Sequence, residues 1–251
     1  MLAHTQHSTV CPARAPQQQC HRPFAASSRR ARLQPVRAAA ASVDTDSALS
    51  VIKSCVAKPG AVPAPVVLDA MLQLEAAKLP TEGWLELLQA PGTHWRLVFT
   101  ADEKQVQAAK KKQPNKGGVY FPIAACQKFD AAQADFENGV FLGPIASLTF
   151  NGPYAMKGKQ LTFDVVKMNI GLGPWRFSIP FKKDAKGIAE MDPQDAKKLP
   201  FFLDAKKLPF FLYAYIDRDI VVARGRSGGL AVWQRASKDW EAKAGVLAVY
   251  K

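Results

Sequence analysis

Histidine and cysteine are scarce in this chain, with four of each among 251 residues. Three of the histidines, together with Cys11 and Cys20, fall in the first 43 residues, which leaves only His94, Cys55 and Cys126 beyond them. No CxxC pair occurs, so a His/Cys metal site has almost nothing to be built from, and no metal or other cofactor is expected. The same pattern fits a reducing or redox-buffered compartment better than a disulfide framework. No apolar stretch reaches the roughly 18 residues of a spanning helix. Phosphate loops fail on spacing: Gly152 to Gly158-Lys159 is one residue too long for GxxxxGK and lacks the following Ser or Thr. Gly171-x-Gly173 lacks a third glycine. The one GxSxG spacing, Gly225-Arg226-Ser227-Gly228-Gly229, reads as a hairpin turn between strands and not as a strand-to-helix nucleophile elbow for His94 to serve. Asp217 and Asp219 flank an arginine in a tight hairpin, which suits turn stabilisation better than acid/base work. An enzyme is not expected.

Acidic residues are absent from residues 1–43, as is glycine, while Arg14, Arg22, Arg29, Arg30, Arg32 and Arg37 stand there without a lysine. Such an Arg-bearing, acid-free segment with Ser, Ala, Gln and Pro reads as an organelle transit peptide over residues 1–40, without a fold of its own. A secretory h-region of about 7 to 15 apolar residues is missing. Val36-Arg37-Ala38-Ala39 fits the loose pattern of chloroplast stromal processing and places cleavage near Ala38 to Ala40; the alternative is a disordered cytosolic tail. The charge follows. The whole chain carries 34 Lys+Arg against 21 Asp+Glu, or +13; removing six arginines leaves 28 against 21, or +7.

From Asp44 to about residue 91 the pattern is helical. Asp46 or Ser47 is the expected cap of a first helix with Leu49, Ile52, Cys55 and Val56 on one face, ended by Pro59-Gly60. A second helix starts near Pro65 and stops before Pro80. A third runs over 81–89, with Thr81 as cap. From His94 the period changes to two. Strands are expected at 95–100, 119–129, 136–142, 146–154, 160–168, 175–181, 210–216, 220–224 and 229–235. Asn138-Gly139, Gly143-Pro144, Asn151-Gly152-Pro153 and Gly171 to Pro174 read as their punctuation. About eight or nine short strands joined by short turns make an antiparallel meander, and closing it into a barrel over 92–236 removes its edges. Residues 44–91 form a helical leader packing on the barrel, and residues 237–251 a C-terminal tail. A barrel of this size has either a filled interior or room for one apolar ligand. The aromatic residues concentrate between Trp95 and Trp233.

Asp195 to Leu203 is repeated without change as Asp204 to Leu212. An odd repeat length would flip every side chain in a continuous strand, so the first copy is expected to be an inserted loop. Its lysines beside Phe201 and Phe202 suit an anionic lipid interface; a slippage without function is the alternative. Arg96, Arg176, Arg224 and Arg235 lie in apolar strands and need partners. Arg224 or Arg235 stacked on Trp95 would close the first strand on the last, and Asp217 is the natural partner for one of these arginines. Arg96, Asp217, Arg224 and Arg235 are thus candidates for structural pairing or for a ligand headgroup. Residues 104–129 carry Lys104, Lys110, Lys111, Lys112, Lys116 and Lys128 without an acid, a solvated loop or a membrane-facing one. Nucleic acid is not expected, because the aromatics alternate in strands and do not interleave with the lysines.

Trp95-Arg96-Leu97-Val98-Phe99-Thr100 after a helical leader resembles the opening strand of the plastid lipid-associated protein, or fibrillin, family. Tyr215 to Gly225, reading YIDRDIVVARG, followed by Gly228-Gly229-Leu230-Ala231-Val232, is similar to the family's closing motif. Tyr120 to Ile123, Gln127 to Asp130 and Glu137 to Pro144 resemble a plant and algal subgroup, and the likeness covers about residues 48–236. It implies a lipocalin-like barrel in the chloroplast, on the stromal side, associated with thylakoids or plastoglobules. The protein would bind or organise apolar molecules such as prenylquinones, carotenoids or lipids. Trp95, Phe99, Tyr120, Phe141, Phe150, Phe163 and Tyr215 are the expected barrel lining, and Lys110, Lys111, Lys112, Phe201 and Phe202 the expected membrane-facing residues. The alternatives are a scaffold for a thylakoid protein complex, its barrel filled, and a barrel enzyme on an apolar substrate using Asp217 and Arg224.

Overall fold

Asp44 caps the first helix, α1 (Thr45–Ala57), by accepting the Ser47 amide on its carboxylate (3.1 Å), two to three residues before the expected cap. The computed structural model describes residues 44–181 and 208–249. The expected targeting segment and the first copy of the repeat, with Phe201 and Phe202, lie outside them. Pro65 sits in the first turn of α2 (Ala64–Ala77), which ends at Lys78 in a left-handed conformation ahead of Pro80. The third helix, α3 (Trp84–Leu88), is shorter than expected because its cap is Gly83, not Thr81.

Among the described residues eleven strands follow: β1 (His94–Ala101), β2 (Val119–Tyr120), β3 (Ala124–Asp130), β4 (Asp135–Leu142), β5 (Ala146–Lys157), β6 (Gln160–Phe163), β7 (Lys167–Leu172), β8 (Trp175–Pro180), β9 (Phe210–Ile216), β10 (Ile220–Gly225) and β11 (Leu230–Arg235). Eight of them, β1, β3, β4, β5, β6, β9, β10 and β11, each pair with the next, and β11 returns to β1, giving a closed antiparallel barrel of the up-and-down kind. The closing register sets Trp95 against Arg235 and Leu97 against Trp233. Two expected strands are each divided. Pro122 separates β2 from β3, and Asp164 to Val166 separate β6 from β7, so β6 stays in the barrel while β7 and β8 leave it along the edge of β5.

Asn138-Gly139 and Asn151-Gly152-Pro153 are not turns. They lie within β4 and β5, and their glycines answer close approach: Gly139 sits against Thr149 and Phe141, and Gly152 against the Asp164 backbone, leaving no room for a side chain. The start of the lysine-rich stretch is likewise no loop. It forms α4 (Glu103–Lys110), held by a reciprocal capping box between Asp102 and Gln105, with Val106 buried. After β11 come α5 (Lys238–Ala244), capped by Ser237, and α6 (Val246–Val249).

Three apolar clusters organise the fold. The first lies between α1, α2 and α4 and the outer face of β1, β9, β10 and β11, with Ile52, Leu68, Met71, Phe99, Val222 and Val232 fully buried. The second collects side chains from all eight barrel strands and is the barrel interior. The third packs Ala244 and Val246 of the C-terminal helices on Cys126 and Phe141, on the outer face of β3 and β4.

Candidate functional site

The barrel interior is a chain of aromatic rings. Phe129 packs on Phe136 (centroids 5.1 Å apart) and edge-on to Tyr154 (5.5 Å); Phe136 meets Phe163 (4.6 Å); Phe163 stacks on Phe211 (5.2 Å), which meets Trp233 edge-on (5.4 Å). Such offset and edge-on contacts each add about 0.5 to 1.5 kcal/mol beyond area burial. One mouth is stoppered by α3. Trp84 and Leu88 join the interior cluster, the Trp95 indole N–H donates to the Leu88 carbonyl (2.9 Å), and the Tyr154 hydroxyl donates to Gln89 Oε1 (2.8 Å).

Of the seven expected lining residues, Trp95 and Phe163 lie in this interior, and Phe150 faces the same side on β5 where β7 departs. Phe99, Tyr120, Phe141 and Tyr215 correct the expectation, because all four sit outside the barrel. Phe99 packs edge-on to Tyr120 (5.3 Å) beneath the helices, and the Tyr120 hydroxyl donates to the Val62 carbonyl (2.6 Å). The cause is two bulges. Val98 is an extra residue between Leu97 and Phe99, and Ala214 between Tyr213 and Tyr215, so each strand changes face there. Tyr213 consequently points inward and Tyr215 outward. Phe141 needs no bulge: it stands five residues from the inward Phe136, an odd step, and lies under α5 and α6.

The arginines also settle differently. Among the described residues Asp217 takes no arginine. Its carboxylate accepts the Tyr215 hydroxyl (2.8 Å) and the amides of Asp219 and Ile220 (2.8 and 2.7 Å), and burial together with this neighbour drives the Tyr215 phenol upward. Arg224 forks onto Glu75 of α2 (Nη2 to Oε2, 2.7 Å) and donates to the Gly228 carbonyl, tying helix to barrel. Burial pushes the Glu75 carboxyl up, but Arg224 and Lys110 outweigh it and hold it below the usual range. Neither Arg224 nor Arg235 stacks on Trp95, which is inside. It is Arg96 that lies over a ring, that of Trp240 (5.8 Å), while its Nε donates to Gln234 Oε1 (2.9 Å); Arg235 is exposed. Lys110 sits at the end of α4, 3.7 Å from Glu75, and Lys111 and Lys112 follow it on the surface. His94 is buried, with Nδ1 2.9 Å from Glu241 Oε1, and Lys238 bonds the other carboxylate oxygen (2.8 Å). Burial holds this imidazole below its usual range.

Sequence reading missed the other exposed feature. Where β7 and β8 continue the wall formed by β4 and β5, the registers align four strands in rows. Leu142, Ala146, Leu172 and Trp175 form one row, Val140, Leu148, Ile170 and Phe177 the next, and Asn138, Phe150, Met168 and Ile179 the third. Asn138 is the one polar member. By alternation these side chains share the inward side of the barrel wall, yet Leu142, Leu148, Leu172, Trp175, Phe177 and Ile179 are exposed. The reverse side is polar. Asn151 donates to Asp135 and Glu137 (3.0 and 2.7 Å), Asn169 to Asn151 and Thr149 (2.7 and 3.1 Å), and Ser178 to Asn169 (2.9 Å). Burial raises both carboxyls, Asp135 and Glu137. The sheet is therefore amphipathic, with an open apolar face on one side. The recurrence of Leu-Gly-Pro before Ile145 and before Trp175 is the sequence signal for it.

No protein-family model matches this chain, and no curated protein matches it.

Proposed function

We propose that this chain is a plastid lipid-associated protein of the fibrillin type, a non-enzymatic protein that binds or organises apolar molecules at a thylakoid or plastoglobule surface on the stromal side of the chloroplast. One observation carries the reading: the apolar face of β4, β5, β7 and β8, which continues the inner wall of the barrel and is left exposed. A prenylquinone, carotenoid or acyl chain laid across those rows loses contact with water on one side without displacing the packed rings, and removal of apolar area stabilises by about 25 cal/mol per Å². The resemblance of β1 and of the β9 to β11 region to the family's opening and closing motifs supports the same reading, since these strands pair in the barrel.

The ring-packed interior favours a second reading, a scaffold or assembly factor for a thylakoid protein complex that presents the same face to a protein. Incubating the purified chain with a prenylquinone, a carotenoid and a galactolipid, followed by size-exclusion and extraction, separates the two. Saturable co-elution that falls in Ile170→Ser/Phe177→Ser supports the lipid reading. No uptake, with a stoichiometric protein retained instead, supports the scaffold.

A further inference from the structure

The row at the end of the open sheet has chemistry of its own. Its turns, Leu142-Gly143-Pro144-Ile145 and Leu172-Gly173-Pro174-Trp175, share one pattern and lie side by side, with the Gly173 amide donating to the Ile145 carbonyl (2.7 Å). Both glycines are left-handed, with φ of 62° and 55°, and each is followed by a proline that fixes the next φ. Gly245, at the α5–α6 junction, packs against Gly143 with no space for a side chain and backs the first turn. These are stiff tips, yet they present Ile145 at 74% exposure and Trp175 at 67%, flanked by Leu142 and Leu172. Arg176 follows Trp175 on β8 and Lys243 stands exposed beside the first turn, whereas Lys167 shares a row with Glu137, near Asp135, at the other end of the sheet. A stiff pair of apolar tips, one bearing tryptophan, with Arg176 and Lys243 beside them and Asp135 and Glu137 at the far end of the sheet, matches an anionic lipid interface: the tips enter the headgroup layer and the cations meet the lipid charge.

We propose that the paired Leu-Gly-Pro turns are the membrane-docking tip of this protein, inserting Ile145 and Trp175 into an anionic lipid surface, so that the apolar face behind them opens toward the bilayer. This rests on the lipid-associated reading for the purpose of docking. Its own claim is which part of the molecule makes contact. The lysines at the end of α4 lie on the wall of β1 and β9 to β11 and are not part of this contact.

The test is flotation of the full chain with vesicles of phosphatidylcholine, with and without phosphatidylglycerol, at low salt, paired with quenching of tryptophan emission by brominated acyl chains. The wild type is expected to float with the anionic vesicles and to be quenched. Ile145→Asn/Trp175→Asn, at exposed positions that leave the core untouched, is expected to lose about tenfold or more in partitioning. Trp175→Phe is expected to float and to lose most of the quenching. Lys110→Gln/Lys111→Gln/Lys112→Gln is expected to float nearly as the wild type does. Flotation of the tip variant at the wild-type level, loss of flotation in the lysine variant alone, quenching that survives in Trp175→Phe, or a wild type that does not float would each overturn the proposal. Prenylquinone uptake in the absence of vesicles is scored separately. Its failure with tip-dependent flotation intact removes the ligand-binding reading and leaves the docking tip standing.

Discussion

Strands β4 and β5 serve two regions of this molecule, and the contrast between them carries most of the account. At one end, Tyr154 meets Phe129 of β3, Phe136 meets Phe163 of β6 and, across the barrel, Phe211 of β9, and both are almost wholly buried. At the other, Val140, Leu148 and Phe150 alternate in the same way, but their sheet runs on into β7 and β8 instead of curling round to β9, and its outer rows face solvent. The same binary pattern thus yields a core where a second wall exists and an exposed apolar face where, among the described residues, none stands opposite. The divergence point is Asp164 to Val166. There the amides of Asp164 and Val166 still bond to β5, at Pro153 and Asn151, while β6 stays with β9 and β7 turns away.

The largest effect is expected inside the barrel. Phe136→Ala removes a ring that touches Phe129 and Phe163, and should cost about 3 to 5 kcal/mol in urea-induced unfolding. A loss below about 1 kcal/mol would mean that the two regions do not differ as described. Next comes the tie between the helical layer and the barrel: Glu75→Ala should cost about 2 kcal/mol, since Arg224 loses its charged partner, and Arg224→Ala in the same background should add little.

A smaller effect depends on pH. Burial lowers the His94 pKa in the folded state, with Glu241 opposing and Lys128 and Lys238 assisting, so the unfolded chain takes up a proton below its usual 6.5 before the folded chain does. The stability contribution of neutral His94 is present above that pH and declines as pH falls toward the folded-state value. His94→Gln should flatten this part of the stability profile, measured by thermal unfolding between about pH 7 and 5. The smallest effect is expected on the open sheet: Phe177→Ser should change stability by no more than about 0.5 kcal/mol, the range of an exposed position.

Much of the fold was legible because turn chemistry and two-residue periodicity agree along most of the chain. Phe210 to Ile216 and the hairpin around Asp217 to Asp219 are cases where the two signals coincide, and the strand stands where it was expected. The site was less legible. Face assignment propagates along a strand by counting, and one bulge residue, Val98 or Ala214, reverses everything beyond it. Phe99 and Tyr215 were lost to the lining for that reason, and Tyr213 and Trp233 were missed within it. Asn138-Gly139 and Asn151-Gly152-Pro153 have the composition of turns but serve as contact points between packed backbones, which a single sequence does not distinguish. The open sheet escaped notice because its rows are assembled across four strands, and no one of them is unusual alone.

The central claim, that apolar molecules are engaged on the open sheet and not among the interior rings, is tested most directly by comparing prenylquinone uptake per folded molecule in Ile170→Ser/Phe177→Ser and in Phe163→Leu. Uptake is expected to collapse in the first variant and to persist in the second. Persistence in the first and collapse in the second would contradict it.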